Sequence, residues 1–179
     1  MASDLCHFQA HDTWQGSRKL QITILASEWG SSNGVLSTTI REFAIQLAKH
    51  DCVNVNLFMP KCSETDKKAA LEYGISIFTA NRLIGFKELD LLSFPPDNLR
   101  MDVVVGRGVE LGRQAQIICN NLWKRNLWKC KWVQAVHSDP EFERNRNMDL
   151  IDLCKMADFV VAVGPKLTEA FRKYVPFQV

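Results

Sequence analysis

The chain has 179 residues, of which 46% are hydrophobic and 23% are charged, a composition typical of a globular domain rather than of a disordered chain. The 22 Lys and Arg residues against 20 Asp and Glu residues give a formal net charge of +2, which by itself does not indicate a nucleic-acid or membrane-surface partner. No apolar run approaches the ~20 residues of a membrane-spanning helix, and the N-terminus lacks the basic and then apolar order of a secretory signal.

Residues 1–18 are polar and aperiodic, so we expect a flexible tail before a domain over residues 19–179. Six segments of the domain have the length and the apolar, often β-branched composition of strands. They are residues 20–26, 53–59, 75–79, 102–105, 132–136 and 159–163.

The segments between these strands have helical character. The first helix is predicted from apolar residues on one face, namely Leu36, Ile40, Phe43, Ala44, Leu47 and Ala48. Ser63, with Asp66 three residues later, predicts the start of a helix that runs to Tyr73 and is capped by Gly74. Further helices are predicted over residues 86–94, through residues 111–122, over residues 148–156 and from Pro165 toward Tyr174.

Strands and helices thus alternate along the domain, a pattern typical of right-handed βαβ crossovers and a parallel sheet. The unbroken apolar run at residues 102–105 indicates a strand buried on both faces. The sequence therefore predicts an α/β fold, a Rossmann-like, doubly wound, mostly parallel sheet of about six strands with helices on both faces. Ligands of such sheets bind at the carboxyl ends of the strands, where the strand order reverses.

The loop over residues 27–34 is a candidate binding segment because it follows the first strand and opens into a helix. Gly30 and Gly34 would let the backbone approach a ligand, and the free N–H groups at the helix start favour an anion such as a phosphate. The pattern is neither G-x-G-x-x-G nor a P-loop. A first βα turn can also require glycine for its geometry alone, and both interpretations stay open.

Two more candidates follow later strands. His137, directly after the fifth strand, could donate to a sugar hydroxyl or act as an acid or base, and we take it as the candidate catalytic residue. Alternatively, His137 has a structural role, with its imidazole hydrogen-bonded to a nearby loop carbonyl. Arg107, between Gly106 and Gly108, could bind a phosphate or carboxylate bidentately, or could be a surface arginine on a glycine turn.

The six cysteines are widely and irregularly spaced, at positions 6, 52, 62, 119, 130 and 154. No C-x-x-C motif or Cys/His cluster with zinc spacing occurs, so we expect reduced thiols in a cytoplasmic domain, with neither a metal nor a cofactor. Cys119, Cys130 and Cys154 have no histidine at catalytic spacing, which argues against a nucleophilic role.

Residues 121–132 interleave three tryptophans with lysines and an arginine, a pattern that can hold single-stranded nucleic acid by stacking and charge. The alternative is that the tryptophan rings pack in the core. The near-neutral net charge also argues against nucleic acid, which we do not expect as a partner.

These segments together resemble the N-terminal, acceptor-side half of a GT-B glycosyltransferase of the retaining glycogen synthase/sucrose synthase-like group. The resemblance covers nearly all of residues 20–174 and rests on the order and spacing of several short motifs. They are the strand 22–26, Asn33-Gly34, the helix end over residues 43–48, the strand end over residues 102–106, Ala135-Val136-His137 for T-x-H, and residues 157–164 for A-D-x-V-x-x-V-S.

The resemblance implies that this half binds the acceptor, that Asn33 and Gly34 approach the diphosphate of a nucleotide-sugar donor, and that His137 touches the donor sugar. The donor pocket would belong to a second, C-terminal half that we expect beyond Val179, and one half alone would be inactive. The motifs also depart from the family at Asn33, at Gly106, where the family has histidine, and at Gly164, where it has serine. These departures favour an alternative, a catalytically inactive module for binding or for self-association as a homo-oligomer.

Overall fold

The computed structural model describes residues 18–30, 35–124, 130–137 and 144–175 of the chain, and strands alternate with helices throughout. The predicted tail lies outside the described residues except for Arg18. The strands are β1 (Leu20–Leu25), β2 (Val53–Met59), β3 (Ile75–Thr79), β4 (Val103–Arg107), β5 (Lys131–Val136) and β6 (Phe159–Ala162). The helices are α1 (Val35–Ala48), α2 (Glu64–Leu71), α3 (Gly108–Lys124), α4 (Arg144–Met156) and α5 (Pro165–Arg172), with a 3₁₀ helix at Leu89–Ser93.

The six strands form one sheet in the order β3-β2-β1-β4-β5-β6, and all the paired strands are parallel. At the centre of the sheet Ile24 pairs with Leu57 on β2 and with Val105 on β4. The chain winds outward from β1 to β3 and then returns to the other side of β1 as β4. This confirms the predicted Rossmann-like, doubly wound fold and places the reversal of strand order between β1 and β4.

The core lies on both faces of the sheet because successive strand residues point to opposite sides. On one face Ile24 packs with Ile40 and Ala44 of α1, and on the other its neighbour Leu25 packs with residues of α3. Val104 and Val105 of β4 likewise pack on opposite faces of the sheet, which confirms the predicted burial of that strand on both faces. A third apolar cluster lies beneath α4 and α5 and contains Val136, Leu150, Ile151, Cys154, Phe171 and Val175.

Two predicted features differ in the structure. Phe43 was expected on the buried stripe of α1, but it is 37% exposed, since the small Ala44 rather than Phe43 makes the closest approach to the sheet. The helix predicted over residues 86–94 is only the 3₁₀ helix Leu89–Ser93. Its buried residues Leu91 and Leu92 settle against the core, whereas Phe86 stays exposed in the preceding loop.

The capping signals of α2 act as the sequence predicts. The Ser63 hydroxyl accepts a hydrogen bond from the Asp66 backbone N–H at 3.0 Å and donates to the Asp66 carboxylate at 2.7 Å. Gly74 has a φ of +73°, a conformation that favours glycine, and it turns the chain into β3.

Two carboxylates fasten the amino edge of the sheet. Asp102, before β4, accepts the Gln21 backbone N–H of β1 at 2.9 Å and pairs with Arg18. Asp158, before β6, accepts the Trp132 backbone N–H of β5 at 2.9 Å and pairs with Lys131 at 2.7 Å. Each carboxylate thereby joins the start of its own strand to the start of the neighbouring strand. Of the described helices, none is long and apolar enough to cross a membrane.

Candidate functional site

The carboxyl edge of the sheet brings together the ends of β4 and β5 beside the reversal of strand order. Arg107 is the last residue of β4, and His137 directly follows β5. Since β4 and β5 are adjacent and parallel, with Arg107 in register with Ala135, the two side chains leave the sheet at the same edge. Asn33 and Gly34, the other two predicted binding residues, lie outside the described residues.

The structure corrects the environment predicted for Arg107. The sequence suggested a glycine turn after β4, but Gly106 and Arg107 belong to the strand, and Gly108 already begins α3. The strand continues because its pairing with β5 extends to the last residue. Arg107 is half-buried, and this burial lowers the pKa of its guanidinium. It remains a cation, since an arginine pKa lies far above neutrality.

His137 is held in a neutral state by its surroundings. The imidazole is half-buried, and its Nδ1 atom is buried without a hydrogen-bond partner among the described residues. Burial lowers the pKa of His137, and the positive charge of Arg107 lowers that pKa further. The ring is therefore uncharged near neutral pH, with one nitrogen able to donate and the other able to accept a hydrogen bond.

Gly108 forms the junction between the two candidate residues. Its φ of +58° lies in the left-handed region, and a Cβ atom built on it would lie 3.5 Å from Cε1 of His137. A side chain at this position would be strained because of this backbone conformation, although its Cβ would make only an ordinary van der Waals contact with the imidazole. The start of α3 therefore lies beside His137.

Gln134, which the sequence analysis did not single out, holds this junction in place by a hydrogen bond to Gly108. Its side chain is fully buried, and its Nε2 donates to the Gly108 carbonyl at 2.8 Å. Its Oε1 has no hydrogen-bond partner among the residues that the structure describes, and it lies 2.4 Å from where a Cβ of Gly112 would be. The sequence does hold a signal for this residue, a lone amide inside the apolar strand Trp132–Val136, because a buried polar group needs a specific partner.

The β4–α3 contact is equally close at Gly106. A Cβ atom there would lie 2.7 Å from the Leu111 carbonyl oxygen and 2.8 Å from both Ala115 Cβ and Gly112 Cα. Strand and helix thus approach each other backbone to backbone at this position, and a side chain larger than that of glycine would not fit.

Other candidates from the sequence do not join this site. Trp132 is buried in the core, as the packing interpretation of residues 121–132 expects, and Trp128 lies outside the described residues. The described cysteines, at positions 52, 62, 119, 130 and 154, form no disulfides among themselves. Burial raises the pKa of Cys154 to about 12, and a hydrogen bond with Cys119, together with burial, raises the pKa of Cys130. Among the described residues no cluster of three or more His, Cys, Asp or Glu side chains could hold a metal ion.

Residues 23–178 match the model of a family described as GT4-conflict, family 4 glycosyltransferase in conflict systems. No curated protein matches the chain.

Proposed function

The chain belongs to the family 4 glycosyltransferases in conflict systems, and from that premise we propose that it forms the acceptor-side half of a protein that transfers a sugar from a nucleotide-sugar donor to an acceptor. In this proposal a donor-binding half completes the site across a cleft at the carboxyl edge of the sheet, as in the retaining glycogen synthase/sucrose synthase-like enzymes. We further propose that the protein acts in the cytoplasm.

The observation that carries the proposal is the placement of Arg107 and His137 at the adjacent, parallel ends of β4 and β5. A glycosyl donor offers two chemically different groups within one molecule, a diphosphate and a sugar. The cation of Arg107 suits the first, and the neutral imidazole of His137 suits a sugar hydroxyl. Half-burial of both side chains strengthens these interactions relative to bulk water.

In the reaction the bond between the anomeric carbon and the diphosphate breaks, the acceptor oxygen bonds to that carbon, and the proton of the acceptor hydroxyl passes to the leaving diphosphate. Negative charge grows on the leaving diphosphate and positive charge on the sugar ring, so catalysis needs a cation at the first and correct orientation of the second. We assign the first role to Arg107 with the backbone of Asn33 and Gly34, and the second to His137. Diphosphate bound at Arg107 would offset its charge and raise the pKa of His137 toward its ordinary value.

The test is sugar transfer by the full-length protein carrying His137→Ala, with His50→Ala as control. His50 lies in the turn between α1 and β2, at the opposite edge of the sheet, and its substitution should leave transfer unchanged. We expect the His137 variant to lose roughly a hundredfold in rate. Arg107→Gln should weaken binding of the nucleoside diphosphate by calorimetry. Unchanged turnover of His137→Ala would remove this residue from the mechanism.

A second candidate function is a catalytically inactive module for binding or self-association. It is favoured by two departures from the enzyme pattern, Gly106 without a histidine side chain and Gly164, which offers α5 no side-chain cap. Calorimetric titration of UDP, GDP and their sugars distinguishes the two functions. Micromolar binding that depends on Arg107 supports the enzyme, whereas no binding together with a stable oligomer supports the module.

A further inference from the structure

The loop between β3 and the 3₁₀ helix exposes large apolar side chains at its tip. Within residues 82–87, here called the tip loop, Leu83 is 40% exposed, Phe86 is 50% exposed and Ile84 is fully exposed. Single exposed apolar residues are common on protein surfaces, but three within four positions form a patch that is typical of an interaction site.

The backbone directs this patch outward. Gly85 turns the chain with a φ of +87°, and a Cβ atom built on it would meet no atom of the described residues within 4 Å, so the turn projects away from them. Phe86 is braced edge-on against Phe94 with ring centroids 5.3 Å apart, and Phe94 is itself partly exposed. The tip loop is therefore a braced, convex projection rather than a groove.

Positive charge flanks the apolar residues on both sides. Arg82 and Lys87 are exposed, and neither forms an ion pair within the part of the chain that the structure describes. The adjacent acid, Glu88, is paired with Lys61 at 2.9 Å and so does not neutralise them. An apolar tip between two cations complements an apolar layer that lies under a plane of negative charge.

We propose that the tip loop inserts into the surface of a membrane that contains anionic lipids. Leu83, Ile84 and Phe86 would enter the apolar boundary while Arg82 and Lys87 contact the lipid phosphates. The convex shape favours a deformable lipid surface over a protein partner, which would need a cavity to receive Ile84. Because β3 is parallel to β4, the loop leaves the same edge of the sheet as Arg107 and His137, so docking would turn that edge toward the membrane.

The experiment is co-sedimentation of the full chain with vesicles of phosphatidylcholine alone or mixed with phosphatidylglycerol. We expect binding to the mixed vesicles that falls with added salt, and little binding to the neutral ones. Ile84→Asp should lower the partition coefficient on the order of thirty-fold, since the burial of one large aliphatic side chain is lost. Replacing Arg82 and Lys87 together by Gln should lower it by roughly the same factor.

Matched controls separate the loop from general surface effects. Leu71→Asp replaces an exposed leucine at the end of α2, on the opposite edge of the sheet, and a Lys49→Gln and Lys68→Gln pair removes two exposed lysines, one after α1 and one in α2. Both should bind as the unmodified chain does. The proposal is overturned if these controls lose binding equally, if the unmodified chain ignores anionic vesicles, or if Ile84→Asp instead abolishes self-association measured without lipid.

Discussion

Replacement of Gly106 by alanine tests the close contact between β4 and α3. The added methyl would lie 2.7–2.8 Å from three atoms of α3, two of them backbone, where ordinary contacts are 3.4–4 Å. The helix would have to move by more than half an ångström, but it is held by its own buried stripe of Leu111, Ala115 and Ile118. We expect a loss of about 3 kcal/mol of unfolding free energy, as for severe overpacking of a core.

The assay is thermal and urea unfolding followed by circular dichroism, with Gly30→Ala as the matched control. For a domain of this size the expected loss corresponds to a drop in Tm of roughly 6–12 °C. A Cβ at Gly30 meets no atom of the described residues within 4 Å, so the control should stay within about 0.5 kcal/mol of the unmodified protein. Equal stability of the two variants would refute the backbone-to-backbone contact of β4 with α3.

Two further predictions concern titration and the amino edge. Because the pKa of His137 is lowered on folding, the unfolded chain binds its proton more readily, and stability should fall as the pH drops below about 6.5. His137→Gln should remove this pH-dependent part of the unfolding free energy, which is well below about 1 kcal/mol for a half-exposed ring. The measurement is urea unfolding at pH 7.5 and 5.5, and a variant whose stability changes with pH as much as that of the unmodified protein contradicts the prediction. Asp158→Ala should lower the unfolding free energy by about 1–2 kcal/mol, because the Trp132 N–H loses its acceptor. The control Asp149→Ala removes an exposed ion pair with Arg113 and should lower it by less than about 0.5 kcal/mol. Equal losses in the two aspartate variants would show that Asp158 contributes only surface charge.

Much of the fold was predictable because its signals are local and repeated. Strands β2 and β3 have the predicted bounds, and the Ser63 cap and Gly74 act as their residue types suggest. Phe43 was misplaced because periodicity identifies a helix face but not which residue on it meets the sheet. Which residue meets the sheet depends on the distance between α1 and the sheet, and tertiary packing rather than the local sequence sets that distance.

The placement of the candidate site residues was only partly predictable. His137 was predicted because a histidine after a strand is chemically informative, and Arg107 because it is a cation beside glycines, and both lie at the carboxyl edge of the sheet. Gly106 was assigned to a turn because glycine commonly marks turns, whereas here it allows close packing within a strand. The support of Gly108 by Gln134 joins residues 26 positions apart, and no local pattern encodes that bond.

The carboxylates Asp102 and Asp158 stabilise the sheet at the edge opposite to the candidate site. These residues bind neighbouring strands at one rim, whereas Arg107 and His137 occupy the other. If sugar transfer takes place at Arg107 and His137 as proposed, its specificity can be redesigned there while the hydrogen bonds of both aspartates, a strand's length away, stay intact. Variation of the residues around Arg107 and His137, with Asp102 and Asp158 kept, is then the first choice for a change of specificity.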